Sequence, residues 1–182
     1  MRQSLMKFLG DRNGSLAVEM ALAVPVLVAL LLTGIEVSRL VLLNQKIERA
    51  SATMADLVSQ SEILAEGDLD NLFVATGYVV DPFDLSSNGR MIVSSIGRSG
   101  ASTSVNWQRG FGAGSGTSVF GAEDGAAVFP EGFELRDGDS VIVAEAFYDY
   151  SPVFTNTVIT NSTLSRYSIL RPRFGSLASL LP

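Results

Sequence analysis

Cysteine and histidine are both absent from the 182-residue chain, and their absence removes whole classes of function. Without cysteine there is no disulfide, thiolate metal site, cysteine nucleophile or lipid-modified cysteine anchor. Without histidine there is no Ser-His-Asp triad. These absences exclude those particular nucleophiles, triads and thiolate metal sites. A membrane-anchored hydrolase is improbable for the same reason.

Basic side chains are also scarce, with 13 Lys and Arg against 19 Asp and Glu. The first 14 residues hold three basic side chains and one acidic side chain, and the rest hold ten and eighteen. Nucleic-acid binding needs a basic surface that matches the phosphates. The acidic balance beyond residue 14 therefore argues against a nucleic-acid partner.

Charge is missing altogether from residues 20–35, and Glu19 is the only charged residue in 15–35. As a helix this stretch is about 31 Å long, enough to cross a bilayer. We predict a transmembrane helix over 15–36, with a cytoplasmic N-terminus and the bulk of the chain on the other side of the membrane. The alternative is an ordinary secretory signal peptide, which predicts a small-residue cleavage site after the apolar run.

A short basic leader, residues 1–14, precedes this run and ends at Gly14. Five residues further on, Glu19 places a carboxylate in apolar surroundings, which costs roughly 2.5 kcal/mol or more near a bilayer centre. Cleavage after Gly14 would give Ser15 a charged amine close to Glu19, in the same or a neighbouring subunit. The simpler alternative is that Glu19 lies at the cytoplasmic boundary. Pro25, within the run, predicts a helix kink.

The apolar pattern changes after the predicted span. Apolar residues spaced three and four apart predict an amphipathic extension of the helix over 37–66, with Gly67 as its stop. A domain over 67–182 follows, in which Asp68 is predicted to cap a second helix that ends at Asp81-Pro82. The apolar positions of the extension are Leu40, Leu43, Ile47, Ala50, Met54 and Leu57.

Period-two patterns then predict four short strands, and the fold class is α+β. We expect a long kinked transmembrane and amphipathic helix packed on a small antiparallel sheet. Between the second and third strands, the glycine-rich segment 110–127 predicts a flexible loop. Glu145 and Asp149 are interpreted as charges on a half-exposed strand face, and the tail from Phe174 is expected to dock loosely. The predicted strands are 90–96, 103–108, 140–150 and 164–170.

The run Gly14-Ser15-Leu16-Ala17-Val18-Glu19-Met20, with Pro25 after it, resembles the processing site of type IV prepilins. More narrowly, the chain resembles TadE-like minor pilins, or pseudopilins, of tight-adherence (Tad/Flp) pilus systems, with Met20 where those proteins typically carry an aromatic residue. Later segments that share the resemblance are 105–109, 130–133, 141–154 and 171–173.

The resemblance implies a substrate and not an enzyme, with no catalytic residues, no metal site and no cofactor. A prepilin peptidase would cut it between Gly14 and Ser15. The implied location is the bacterial inner membrane, with the C-terminal domain in the periplasm. It also implies that Glu19 serves peptidase recognition or subunit assembly. The implied partners are that peptidase, other minor pilins, the major pilin, the inner-membrane assembly platform and the lipid bilayer. The implied role is biogenesis, initiation or the tip of a pilus for surface attachment. The alternative is a single-pass membrane-anchored adhesin that keeps its leader and never enters a fibre.

Overall fold

The computed structural model of the protein describes residues 12–154 and 160–182, with side chains from residue 16 onward. The predicted α+β class is confirmed, with a long helix and a four-stranded antiparallel sheet. The chain divides into two compact units, Met1–Arg39 with Pro152–Thr160 and Leu40–Ser151 with Asn161–Pro182. The helices are α1 (Arg12–Ser59), α2 (Glu66–Gly77), a 3-10 turn (Tyr78–Val80) and α3 (Leu85–Asn88), and the strands are β1 (Gly89–Ser99), β2 (Ser102–Phe111), β3 (Ser140–Tyr150) and β4 (Ser162–Leu170).

The strand order of the sheet is β2-β1-β3-β4, and each strand is antiparallel to the strand beside it. Strand β3 has the bounds that the sequence predicts, because a turn at Gly138 precedes it and its apolar run is continuous. Ala144 of β3 lies opposite Val93 of β1 and Ser168 of β4. Strand β3 is therefore central, and almost all of its residues are buried, as its continuous apolar run favours.

The second half of α1 packs on one face of this sheet. Its buried positions recur at three- and four-residue spacing, as the amphipathic pattern predicts, and each such side chain contributes about 1.5–3 kcal/mol when fully buried. The fully buried residues are Leu43, Ile47, Ala50, Met54 and Val58 on the helix, and Ile142, Ala144 and Ala146 on β3. Ala144 and Ala146 have small side chains, so a helix can lie close to this face of β3.

The prediction that α1 continues to about residue 66 is wrong, since the helix ends at Ser59. The Ser59 hydroxyl donates to the carbonyl of Asp56 at 2.9 Å, a bond that competes with continued helix. The backbone N–H of Arg173 donates to the Ser59 carbonyl at 2.8 Å, and the Arg173 guanidinium pairs with Asp56. The C-terminal tail thus caps the last turn of α1.

The same tail fixes the start of α2, which begins at Glu66 and not after an Asp68 cap. Leu181 donates its N–H to the Leu64 carbonyl and accepts a bond from the N–H of Glu66. The Trp107 indole N–H also donates to the carbonyl of Leu177 at 2.8 Å. The expectation of a loosely docked tail is therefore wrong, because backbone bonds and a buried aromatic ring hold it.

The segment between β2 and β3 has no regular element, as its glycines predict, yet it covers the second face of the sheet. Phe120 is buried there, with its ring centroid 5.1 Å from that of Tyr167 on β4. A Cβ added at Gly116 would overlap the ring of Phe147, so this close approach requires glycine. The core on this face comprises Ile96, Val105, Phe120, Leu135, Val141 and Val143.

Two carboxylates of β3 hold this segment. The interpretation of Glu145 as a charge on a half-exposed face is wrong, because Glu145 is buried, whereas Asp149 is partly exposed as expected. Glu145 is 1% exposed and accepts bonds from the Ser118 hydroxyl at 2.5 Å and the Val119 N–H at 2.9 Å. Asp149 accepts bonds from the N–H and hydroxyl of Ser115 and from the hydroxyl of Thr163. Burial raises the pKa of Glu145, whereas the bonds from Thr163 and Ser115 lower the pKa of Asp149.

We predict that Glu145→Gln changes how stability depends on pH. Burial raises the pKa of Glu145 in the folded state. Glu145 therefore contributes most to the free energy of unfolding below its unfolded pKa, about 4.3. This contribution becomes smaller as pH rises through the folded-state pKa. The free energy of unfolding of the wild type, relative to Glu145→Gln, should therefore fall as pH rises above about 4.3. Denaturant titrations followed by the fluorescence of the buried Trp107 measure this difference.

The exposed Glu134 offers a matched control, because Glu134→Gln removes the same charge from a surface position. Its free energy of unfolding should follow the wild type across this pH range. A wild-type advantage over Glu145→Gln that grows as pH rises would contradict the proposed cost of ionising Glu145.

Candidate functional site

The predicted processing site lies in the first turn of α1, whose backbone is helical from Arg12 onward. The predicted leader covers residues 1–14, and residues 1–11 of it lie outside the described residues. Glycine inside a helix costs about 1 kcal/mol relative to alanine, so Gly14 lowers the stability of α1 beside the predicted cleavage site.

An exposed apolar surface follows this turn. The large apolar side chains from Leu16 to Leu31 that the structure describes are almost all exposed. The most apolar 18-residue window of the helix has a mean hydropathy of 2.4, and none of it is buried within the protein. The core helix of a soluble protein would be mostly buried, so the first half of α1 is suited to anchor in a membrane.

Polar groups along this half of α1 are satisfied within the helix. The Thr33 hydroxyl donates to the carbonyl of Ala29, and the Ser38 hydroxyl to that of Gly34, each at 2.8 Å. Such internal bonds are what a helix needs where no water is available. The helix is continuous through Pro25, which has no N–H to donate to the carbonyl of Ala21. The predicted kink at Pro25 stays a prediction.

Glu19 differs from these groups. Its side chain is exposed, and among the residues whose side chains the structure describes none bonds to it or pairs with it. It follows Ser15 by four residues, about 6 Å along the helix axis. Glu19 therefore stands one turn beyond the predicted new N-terminus, on a surface that is otherwise apolar.

The second carboxylate of this half, Glu36, makes contacts that the sequence did not indicate. It is 1% exposed and accepts bonds from the N–H groups of Val153 and Phe154 at 3.1–3.2 Å. These partners lie 117 and 118 residues away, so no local pattern could have indicated them. Glu36 thus joins α1 to the segment that follows β3.

Metal and cofactor chemistry finds no support in the clustering of side chains. Among residues 12–154 and 160–182, no group of three or more acidic side chains is arranged to hold a metal ion. Arg109 instead joins Glu66 at 2.7 Å and Glu123 at 3.1 Å in an exposed ion-pair network. Such exposed pairs contribute little to stability, about 0–1 kcal/mol.

Comparison with known families supports the importance of the N-terminal helix. Residues 14–56 match the family model of TadE-like proteins. The match begins at Gly14, includes Ser15, Glu19 and Pro25, and ends at Asp56, three residues before the end of α1. No curated protein and no solved structure matches the chain.

The match ends before the sheet, so the resemblance of segments 105–109, 130–133, 141–154 and 171–173 stays a prediction. Over the N-terminal helix the resemblance is confirmed. Residues 14–56 are therefore similar to TadE-like proteins, and the match covers the part of α1 that carries Gly14, Glu19 and the exposed apolar side chains.

Proposed function

We propose that this protein is a minor pilin, or pseudopilin, of a Tad pilus, processed by a prepilin peptidase and active in the initiation, biogenesis or tip of the fibre. The observation that carries the proposal is the TadE-like match, which starts at Gly14 and covers a helix with an exposed apolar surface. The proposed role is structural and requires no catalytic residues.

The proposed membrane arrangement follows from charge. The basic leader stays on the cytoplasmic side, and the acidic domain beyond α1 lies in the periplasm. The peptidase then reaches the Gly14–Ser15 bond at the cytoplasmic boundary. Because this bond lies in the first turn of α1, opening the helix there breaks few backbone hydrogen bonds.

Assembly follows from the pairing of two charges that processing brings together. Cleavage creates an amine on Ser15, one turn from Glu19 and beside the same carboxylate on a neighbouring helix. In a low-dielectric bundle an unpaired carboxylate is costly, and pairing it with a cation offsets much of that cost. The pair would also set the axial register between this helix and those of the major or other minor pilins.

We predict that Gly14→Leu leaves the protein in its longer, unprocessed form. A bulky side chain before the scissile bond would obstruct the peptidase and strengthen the helix that must open. Intact mass spectrometry of membrane extracts from peptidase-containing cells measures whether residues 1–14 remain attached.

Gly34→Leu is the matched control, because Gly34 lies in the same helix and an added Cβ there meets nothing within 4 Å. This variant should be shortened like the wild type. If Gly14→Leu and the wild type have the same unshortened N-terminus, the protein keeps its leader and the membrane-anchored adhesin is the better description.

We predict that Glu19→Ala is processed but assembles poorly. Loss of one charge pair per helix contact should reduce surface fibres by about tenfold or more, the equivalent of about 1.4 kcal/mol. Electron microscopy counts the fibres, and the fluorescence of Trp107 should show an unchanged domain fold.

Glu48→Ala serves as the control, since Glu48 is an exposed glutamate on the same helix beyond the apolar run. Fibre number should remain at the wild-type level in this variant. Wild-type fibre numbers in Glu19→Ala would contradict the assembly role of the carboxylate.

A further inference from the structure

The segment after β3 is fixed to α1 by a buried carboxylate at the end of the apolar run. Both oxygens of Glu36 accept from the N–H of Val153, and one of them also accepts from Phe154. Bonds from N–H groups to a charged carboxylate are stronger than those to a neutral acceptor. The backbone of residues 153–154 is thereby held against the helix.

The side chains on this fixed backbone are apolar and exposed. Val153 is 56% exposed and Phe154 is 46% exposed, although their N–H groups are bonded to a residue that is 1% exposed. Ile35 and Val37, on either side of Glu36 in the helix, are exposed as well. An apolar surface therefore continues from the helix onto the segment beside it.

The position of this surface along α1 indicates what covers it. The apolar run from Leu16 to Ile35 spans about 30 Å, the thickness of one bilayer core. Glu36 consequently lies at the level where the helix leaves the hydrocarbon. The sequence carries no charged residue between Asp149 and Arg166, so no charge opposes contact with lipid there.

We propose that Val153 and Phe154 insert into the interfacial layer of the bilayer, as a second membrane contact besides the helix, with Glu36 as the positioning residue. Aromatic side chains are favoured at this depth. The bonds from Val153 and Phe154 also satisfy a carboxylate that would otherwise be costly near lipid. The inference rests on the membrane span of the proposed function, and it adds a lipid-binding site outside that span.

Tryptophan reporters in the full chain test this proposal. Phe154→Trp is reconstituted in phosphatidylcholine vesicles whose lipids are brominated on the upper part of the acyl chains. The wild type, in which Trp107 is buried, provides the blank. Leu27→Trp reports insertion of the helix, and Tyr78→Trp reports an exposed position of the soluble domain.

We expect the fluorescence added by Phe154→Trp to shift to shorter wavelength and to lose on the order of half its intensity in brominated vesicles, as an interfacial aromatic would. Leu27→Trp should also be quenched, and Tyr78→Trp should not. Quenching of Leu27→Trp without quenching of Phe154→Trp would overturn the inference and leave the membrane span intact. That result would also follow if Phe154 packed against another protein. Quenching of neither would contradict the span itself, and the inference with it.

The positioning role of Glu36 has its own readout in the Phe154→Trp protein. Adding Glu36→Ala should reduce the quenching, because the backbone of residues 153–154 is then no longer held. Adding Glu48→Ala, on the exposed side of the same helix, should leave it unchanged. Equal quenching with and without the Glu36→Ala substitution would show that the carboxylate does not position the segment.

Discussion

Helix α1 is one continuous helix whose first half exposes apolar side chains and whose second half is buried against the sheet. The rest of the fold depends on this difference. From Leu43 its buried side chains pack on the sheet, whereas from Leu16 to Leu31 its apolar side chains are exposed. Along the exposed half, hydroxyl groups bond to their own helix and Glu36 bonds to the segment after β3. Glu19 is the polar group of that half whose proposed partner, the amine on Ser15, would arise only by processing. In the proposed function, cleavage of the leader creates the amine that pairs with Glu19, so processing precedes the assembly of the helices.

Long-range polar contacts, more than local propensity, complete the rest of the fold. Glu145 and Asp149 hold a glycine-rich segment that forms no regular structure of its own. The C-terminal tail ends α1 through Ser59 and begins α2 through Glu66. These contacts satisfy backbone groups of the irregular segments, as ladder hydrogen bonds do for the strands.

Local sequence patterns therefore predicted the helices and strands, but they did not predict the contacts between residues that are distant in the sequence. Strand β3 was predictable to the residue, because a glycine turn and a continuous apolar run mark it. The buried stripe of α1 followed from its spacing. The end of α1 at Ser59 could not be predicted from local spacing, because Arg173 contacts Ser59 only in the folded chain. The burial of Glu145 was missed because alternation along a strand does not reveal which loop covers the face. Gly14 and Glu19 could be proposed from the sequence because their spacing is local, and their roles stay predictions. The contacts of Glu36 could not, because its partners lie more than a hundred residues away.

The central claim is that α1 enters its assembly only after the chain is cut between Gly14 and Ser15. Mapping the N-terminus of the native protein, purified from membranes or from surface fibres, tests this claim most directly. Fragmentation mass spectrometry should find Ser15 as the first residue, with a free or modified amine. A mature protein that begins at Met1, or near Ala17, would contradict the account.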